Sequence, residues 1–289
     1  MHVVVPRAAG LDVHETQVTV TVRLCEPGGG LPLTCTREFS ALPSGLLELT
    51  GWLQSHGVTA AAMEGTGVYW LAPYDALEEA GIEPALFHAQ HVKQVKGRKT
   101  DIGDSVWLAR VCQLGLAAPG YVPPKRYRRL RQLCRYRRKL VSERSRAHNR
   151  PQKVLDHDGL RLGGSLTDIL GTNGRHIPDG LVNGQPARTI LDGLTYHVRG
   201  KLEQLGDTLE ARLDRDSLWT MRDLIQSIDG LNERLHGLDE RVLEGLRDCE
   251  RQLHLLETMP GVSLTSACAI LAELGPDPSV FPDPRHLGS

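Results

Sequence analysis

Between Lys125 and Lys153 the chain sets thirteen Lys or Arg side chains against a single acid, Glu143, a local charge of +12. No core accepts such a segment on all sides, because ionised side chains are almost never fully buried without partners. Its apolar residues Leu130, Leu133, Leu140 and Val141 leave one narrow stripe, and the spacing predicts one long helix over roughly 126–155. A lone charge run is commonly a solvated helix face. At this density the like charges call for a polyanion, and nucleic acid is the favoured partner, with Tyr127 and Tyr136 interleaved for stacking. The candidate phosphate contacts are Lys125, Arg126, Arg128, Arg129, Arg131, Arg135, Arg137, Arg138, Lys139, Arg144, Arg146 and Arg150. The whole chain has a net charge of only −1, so the other 260 residues carry 21 basic and 34 acidic side chains. The segregation, rather than the sum, identifies the partner.

A length of 289 residues suggests about two domains. The six cysteines are scattered without a C-x-x-C pair, which argues against a disulfide framework or structural zinc and fits a reducing cytoplasm. No apolar run approaches the ~20 residues of a membrane span, and the start lacks a signal-peptide layout. GGGLPLTC lacks the lysine of a phosphate loop, His14-Glu15 has no second zincin histidine, and no G-x-S-x-G occurs.

The first 90 residues read as a mixed α/β unit. Strands are predicted at 8–13, 18–24, 37–42, 59–63 and 82–87, with helices at 44–56 and 70–80. A further helix is predicted over 101–116, capped by Thr100, and Pro119–Pro124 then breaks the chain. From Met221 to Leu256 apolar residues recur at steps of three and four, with one slip. That is a heptad seam of about five repeats, read as a coiled coil, with a core helix of an ordinary bundle as the alternative. The final stretch, MPGVSLTSACAILAEL, is similar to half of a helix-hairpin-helix, and a plain helix start fits it equally.

Four acids stand where acids are costly unless used. Asp12 ends the first apolar strand and Glu64 follows another, while Asp101 and Asp104 share one helix face at i, i+3. Taken singly, each has an ordinary structural role as a turn former, strand end or dipole-complementing residue. Together they would need a hard divalent cation such as Mg²⁺, and two ions about 4 Å apart suit phosphodiester chemistry. Lys93, Lys96, Arg98 and Lys99 lie just before Asp101 and suit a phosphate-bearing substrate, with a solvated loop as the alternative.

These residues resemble a known family. G-L-D-V-H, M-E-G-T-G-V-Y-W, H-V-K-Q-V-K-G-R-K-T-D-I-G-D-S, L-G-L-A-A-P-G-Y-V-P-P, the Arg-rich stretch and T-M-P-G-V-S-L-T-S-A-C-A-I-L-A-E-L-G-P are similar to the DEDD transposases of the bacterial insertion-sequence family numbered 110. The resemblance implies a ribonuclease H-type, Holliday-junction-resolvase-like N-terminal domain over 1–157, ending in the Arg-rich helix. A connector over 158–200, a coiled coil over 201–257 used for self-association and the start of a mostly helical transposase domain over 258–289 would follow.

The resemblance further implies Asp12, Glu64, Asp101 and Asp104 as the catalytic tetrad on Mg²⁺. It implies DNA and a structured guide RNA as partners, no membrane, and a bacterial cytoplasmic, nucleoid-associated location. Strands would be cut and joined through a Holliday-junction-like intermediate, with a nucleophilic serine from the C-terminal domain. Ser263, Ser266 and Ser289 do not match that serine motif, which lies beyond the F-P-x-x-x-H-L stretch in the family. The expectation is therefore a C-terminally truncated member with impaired strand exchange. A structure-specific DNA endonuclease and a non-catalytic nucleic-acid-binding remnant are the alternatives.

Overall fold

The computed structural model describes residues 3–25, 31–65, 67–88, 103–160, 162, 169–171, 174–194, 213–281 and 283. Its contacts divide the chain into two compact units, 1–122 and 123–289. The Arg-rich helix belongs to the second unit, not to the unit of the sheet.

The first unit is built on a five-stranded sheet of order β3-β2-β1-β4-β5. The strands are β1 (Arg7–Val13), β2 (Gln17–Leu24), β3 (Leu33–Ser40), β4 (Ala60–Glu64) and β5 (Glu83–Phe87). β2 runs antiparallel to both of its neighbours, and β4 and β5 run parallel to β1. β1 and β4 lie between other strands with both faces covered, which explains their runs of small apolar residues. Helices α1 (Pro43–Ser55) and α2 (Leu71–Glu79) cover one face, where Ala9, Leu11, Ala61 and Met63 meet Leu49, Leu53 and Leu77. Helix α3 (Asp104–Leu114) covers the other, setting Trp107, Leu108 and Val111 on Ala8, Ala60 and Ala62.

The expected strand near 37–42 lies earlier, at Leu33–Ser40. It is an edge strand, exposed at every position but Phe39, so it has no buried alternation to mark its limits. Its register comes from pairing along the whole of β2, from Leu24↔Leu33 to Gln17↔Ser40.

In the second unit, α4 (Lys125–His157) lies antiparallel to α7 (Arg215–Gly245), so that Arg126 reaches Asp248 and Arg137 reaches Asp239. Short helices α5 (His176–Val182) and α6 (Ala187–Asp192) pack near the far end of this pair. Helices α8 (Glu250–Glu257) and α9 (Leu264–Leu274) close the described chain. The heptad residues Ile228, Leu231 and Leu235 are buried against Leu140 and Ala147 of α4. The seam is thus covered from within the same chain. Its slip coincides with the end of α7 at Gly245, where a β-carbon would come 2.4 Å from Leu130 Cδ2.

Candidate active site and nucleic-acid interface

The placement of the acids follows from strand pairing. Leu11 lies opposite Met63 on parallel strands, so the next residues, Asp12 and Glu64, stand side by side at the strand ends. Neighbouring strands are about 4.8 Å apart. Alternation gives both side chains the face of Ala8, Gly10, Ala60 and Ala62, which is the face beneath α3.

Helix α3 runs antiparallel to β1. Its Gln113 amide donates to the carbonyls of Pro6 and Arg23, while its first turn rests on Gly10. A β-carbon at Gly10 would lie 2.1 Å from the Ser105 carbonyl oxygen and 2.2 Å from the Ala109 nitrogen. The buried Thr21 hydroxyl ties this turn down, lying 2.9 Å from Ser105 Oγ and 2.8 Å from Thr36 Oγ1. Asp104, the first residue of α3, is therefore delivered to the sheet end that carries Asp12 and Glu64.

Asp101 lies outside the described residues, as do Lys93, Lys96, Arg98 and Lys99. Among the described residues no three His, Cys, Asp or Glu side chains form a group that could hold a metal ion. Asp12 has a partner that the sequence patterns did not indicate: His14 Nε2, 3.3 Å from its Oδ2. His14 follows the last residue of β1, in the turn that leads to β2, two positions beyond Asp12.

A profile of DEDD-type IS110 transposases matches residues 9–157, from within β1 through the other four strands, α3 and α4. A second, the IS116/IS110/IS902 transposase family, matches residues 253–289. The chain belongs to the IS110 family of DEDD transposases. It is thus an enzyme of DNA transposition and recombination, and DNA is its partner. No individual curated protein matches the chain. Among the described residues of the transposase, no helix is long and apolar enough to cross a membrane.

The basic helix of the transposase divides into two sets. One is engaged within the chain. Arg126 pairs with Asp248 at 2.7 Å, Arg137 with Asp239 at 3.0 Å and Arg135 with Glu273 at 3.0 Å. Arg131 donates to the Glu273 carbonyl at 2.7 Å, Arg144 to Asn232 at 3.3 Å, and the buried Arg128 to the Pro123 carbonyl at 2.8 Å. These groups hold α4 against α7 and α9 and turn its N-terminus, and Asp239 raises the Arg137 pKa further above its ordinary value. Lys125 also has a partner within the chain.

The other set is Arg129, Arg138, Lys139, Arg146, Arg150 and Lys153, all exposed. Of these, Lys139, Arg146 and Arg150 recur at seven and four residues, so they share one exposed face, about a quarter turn from that of Leu140 and Ala147. Sequence spacing shows the charge but cannot separate the two sets, because the acids engaged lie about a hundred residues away.

Ser263 caps α9, its Oγ accepting from the Ser266 amide at 3.3 Å. The plain helix start accounts for both serines, and Ser289 is outside the described residues.

Proposed function

We propose that the transposase cuts and exchanges DNA strands, guided by a structured RNA, at a carboxylate site made by Asp12, Glu64, Asp101 and Asp104. One observation carries this reading: the β1–β4 register sets Asp12 beside Glu64 on the face beneath α3, whose first residue is Asp104. The strand order, with only β2 reversed, supports a ribonuclease H-type fold for this unit.

The donor set is all oxygen, which suits hard divalent cations, and two Mg²⁺ ions are the proposed cofactor. Such ions, when bound, stabilise the attacking and leaving oxygens of phosphodiester displacement. Asp12 and Glu64, fixed by strand pairing, would form the rigid part of the cradle, and α3 would bring Asp104 to it, with Asp101 three positions earlier in the chain as the fourth proposed ligand. His14 would limit the rotation of the Asp12 carboxylate.

Arg129, Arg138, Lys139, Arg146 and Arg150 are the proposed phosphate contacts of α4, and Lys93, Lys96, Arg98 and Lys99 those beside the acids. Exchange joins two DNA partners, and we infer self-association. The α7 seam is already covered by α4, so the contact between copies falls on other surfaces. Acting on chromosomal DNA, the transposase would work at the bacterial nucleoid.

The test is strand cleavage of a synthetic four-way DNA junction by the full chain in Mg²⁺. Nicked product is expected, falling about 100-fold or more in Asp12→Asn, Glu64→Gln and Asp101→Asn. Product that persists in these variants, or in chelator, contradicts the reading. Tight junction binding without cleavage favours the non-catalytic alternative.

A further inference from the structure

The loop that leaves Glu64 carries an aromatic side chain that the carboxylate chemistry does not use. The Gly65 amide donates to the Phe87 carbonyl at 2.9 Å, fixing the root of the loop to β5. At its far end the Leu71 amide donates to the Val68 carbonyl at 3.2 Å, closing a turn that leads into α2. Trp70 packs inward, its ring edge-on to Tyr74 at 5.5 Å and 82°, against the core of α1 and α2. Beside it the turn leaves two side chains to solvent: Val68 is 68% exposed and Tyr69 45%.

Burying Trp70 and exposing its neighbour is not forced by the hydrophobic effect, which favours covering both. The exposed pair lies on the chain segment that joins Glu64 to α2, at the end of the sheet where Asp12 and Asp104 also lie. Metal-bound carboxylates at that end would hold the phosphate of a bound strand but not its bases, so an uncharged contact beside them has a distinct use. A tyrosine ring presents a flat face to which any base can stack, without adding charge to the site.

We propose that Tyr69 is a stacking platform that holds an unpaired base of the DNA strand next to the carboxylate site, with Val68 packing beside that base. Tyr69 is a positioning residue in this role: it fixes the strand from which the scissile phosphate is presented. The inference rests on the strand-cleavage reading above, and its ligand is a base of single-stranded or branch-point DNA.

The test uses the full chain and a four-way DNA junction with 5-iododeoxyuridine next to the branch point, a probe that cross-links on irradiation to aromatic rings stacked on it. A cross-link to the Tyr69 peptide is expected. Tyr69→Ala should abolish it and weaken junction binding about ten-fold. Tyr69→Phe should keep both within about two-fold, because the ring and not the hydroxyl makes the contact. Asp12→Asn should retain the cross-link while losing cleavage.

An unchanged cross-link or unchanged affinity in Tyr69→Ala overturns the stacking role. Loss of the cross-link in Tyr69→Phe overturns it as well, by assigning the contact to the hydroxyl. Binding and cleavage by the wild type with a cross-link only elsewhere remove the stacking role and leave the cleavage reading intact. No binding and no cleavage by the wild type remove both.

Discussion

The carbonyl oxygen of Ser105 lies 2.1 Å from the point that a β-carbon of Gly10 would occupy. Helix α3 rests on bare backbone here, and this contact sets how close Asp104 comes to the end of β1. Both partners of the clash are backbone, so a side chain at position 10 cannot be relieved by a rotamer change. Gly10→Ala should cost about 1–3 kcal/mol of stability or more, read from urea unfolding, and should reduce strand cleavage with it. An unchanged midpoint would show that α3 can shift without loss.

Two classes of arginine on one helix should separate in two assays. Arg137→Ala removes a partly buried pair with Asp239 and should lower stability by about 1 kcal/mol, while its effect on nucleic-acid affinity stays small. Arg146→Ala and Arg150→Ala should leave stability unchanged. Each should reduce the salt dependence of binding, the slope of log K against log salt, by about 1. Equal effects of all three on both measurements would contradict the division.

Three glycines of α7 differ in their surroundings. Gly230 and Gly237 face open space, and Gly245 abuts Leu130. Gly230→Ala and Gly237→Ala should each stabilise by about 0.5–1 kcal/mol. Gly245→Ala should destabilise, because the Leu130 side chain must move. Chemical denaturation of the three variants checks the order.

Burial chiefly holds three thiols protonated, Cys112 and Cys268 most strongly and Cys134 as well. Burial, and secondarily the Glu83 carboxylate, pushes Cys112 up to about 12. Burial chiefly, with Cys134 and Asp239 adding to it, pushes Cys268 to about 11. The folded state therefore favours the neutral thiols, and this contribution to stability is present below the ordinary value near 9 and is lost as pH rises toward 12. At pH 8 iodoacetamide should modify the exposed Cys35 well before Cys112 or Cys268, as mass spectrometry of timed samples would show. Comparable early labelling of Cys112 would contradict its placement.

Local signals determined much of the first unit. β2 alternates because Val18, Val20, Val22 and Leu24 fill one face while on the other only Thr21 is buried, and β4 is apolar at four successive positions because both faces are covered. The same logic failed for β3, whose exposed side chains carry no pattern and whose limits depend on β2. Asp12, Glu64 and Asp104 were recognisable as acids at element ends, but their placement at one sheet end depends on a crossover pairing that no local window contains. The heptad of α7 was equally plain, yet a seam does not name its partner. Here the partner is α4, and the ion pairs that join them link residues separated by 102 and 122 positions.

The central claim is that Asp12, Glu64 and the start of α3 form one metal-dependent site for DNA strand cleavage. The most direct measurement is junction cleavage by Asp104→Cys in Mg²⁺ and in Mn²⁺, with circular dichroism verifying the fold. Thiolate is a poor ligand for Mg²⁺ and a better one for a transition metal. No product is expected in Mg²⁺, and partial recovery in Mn²⁺. Wild-type cleavage by Asp104→Cys in Mg²⁺ would contradict it.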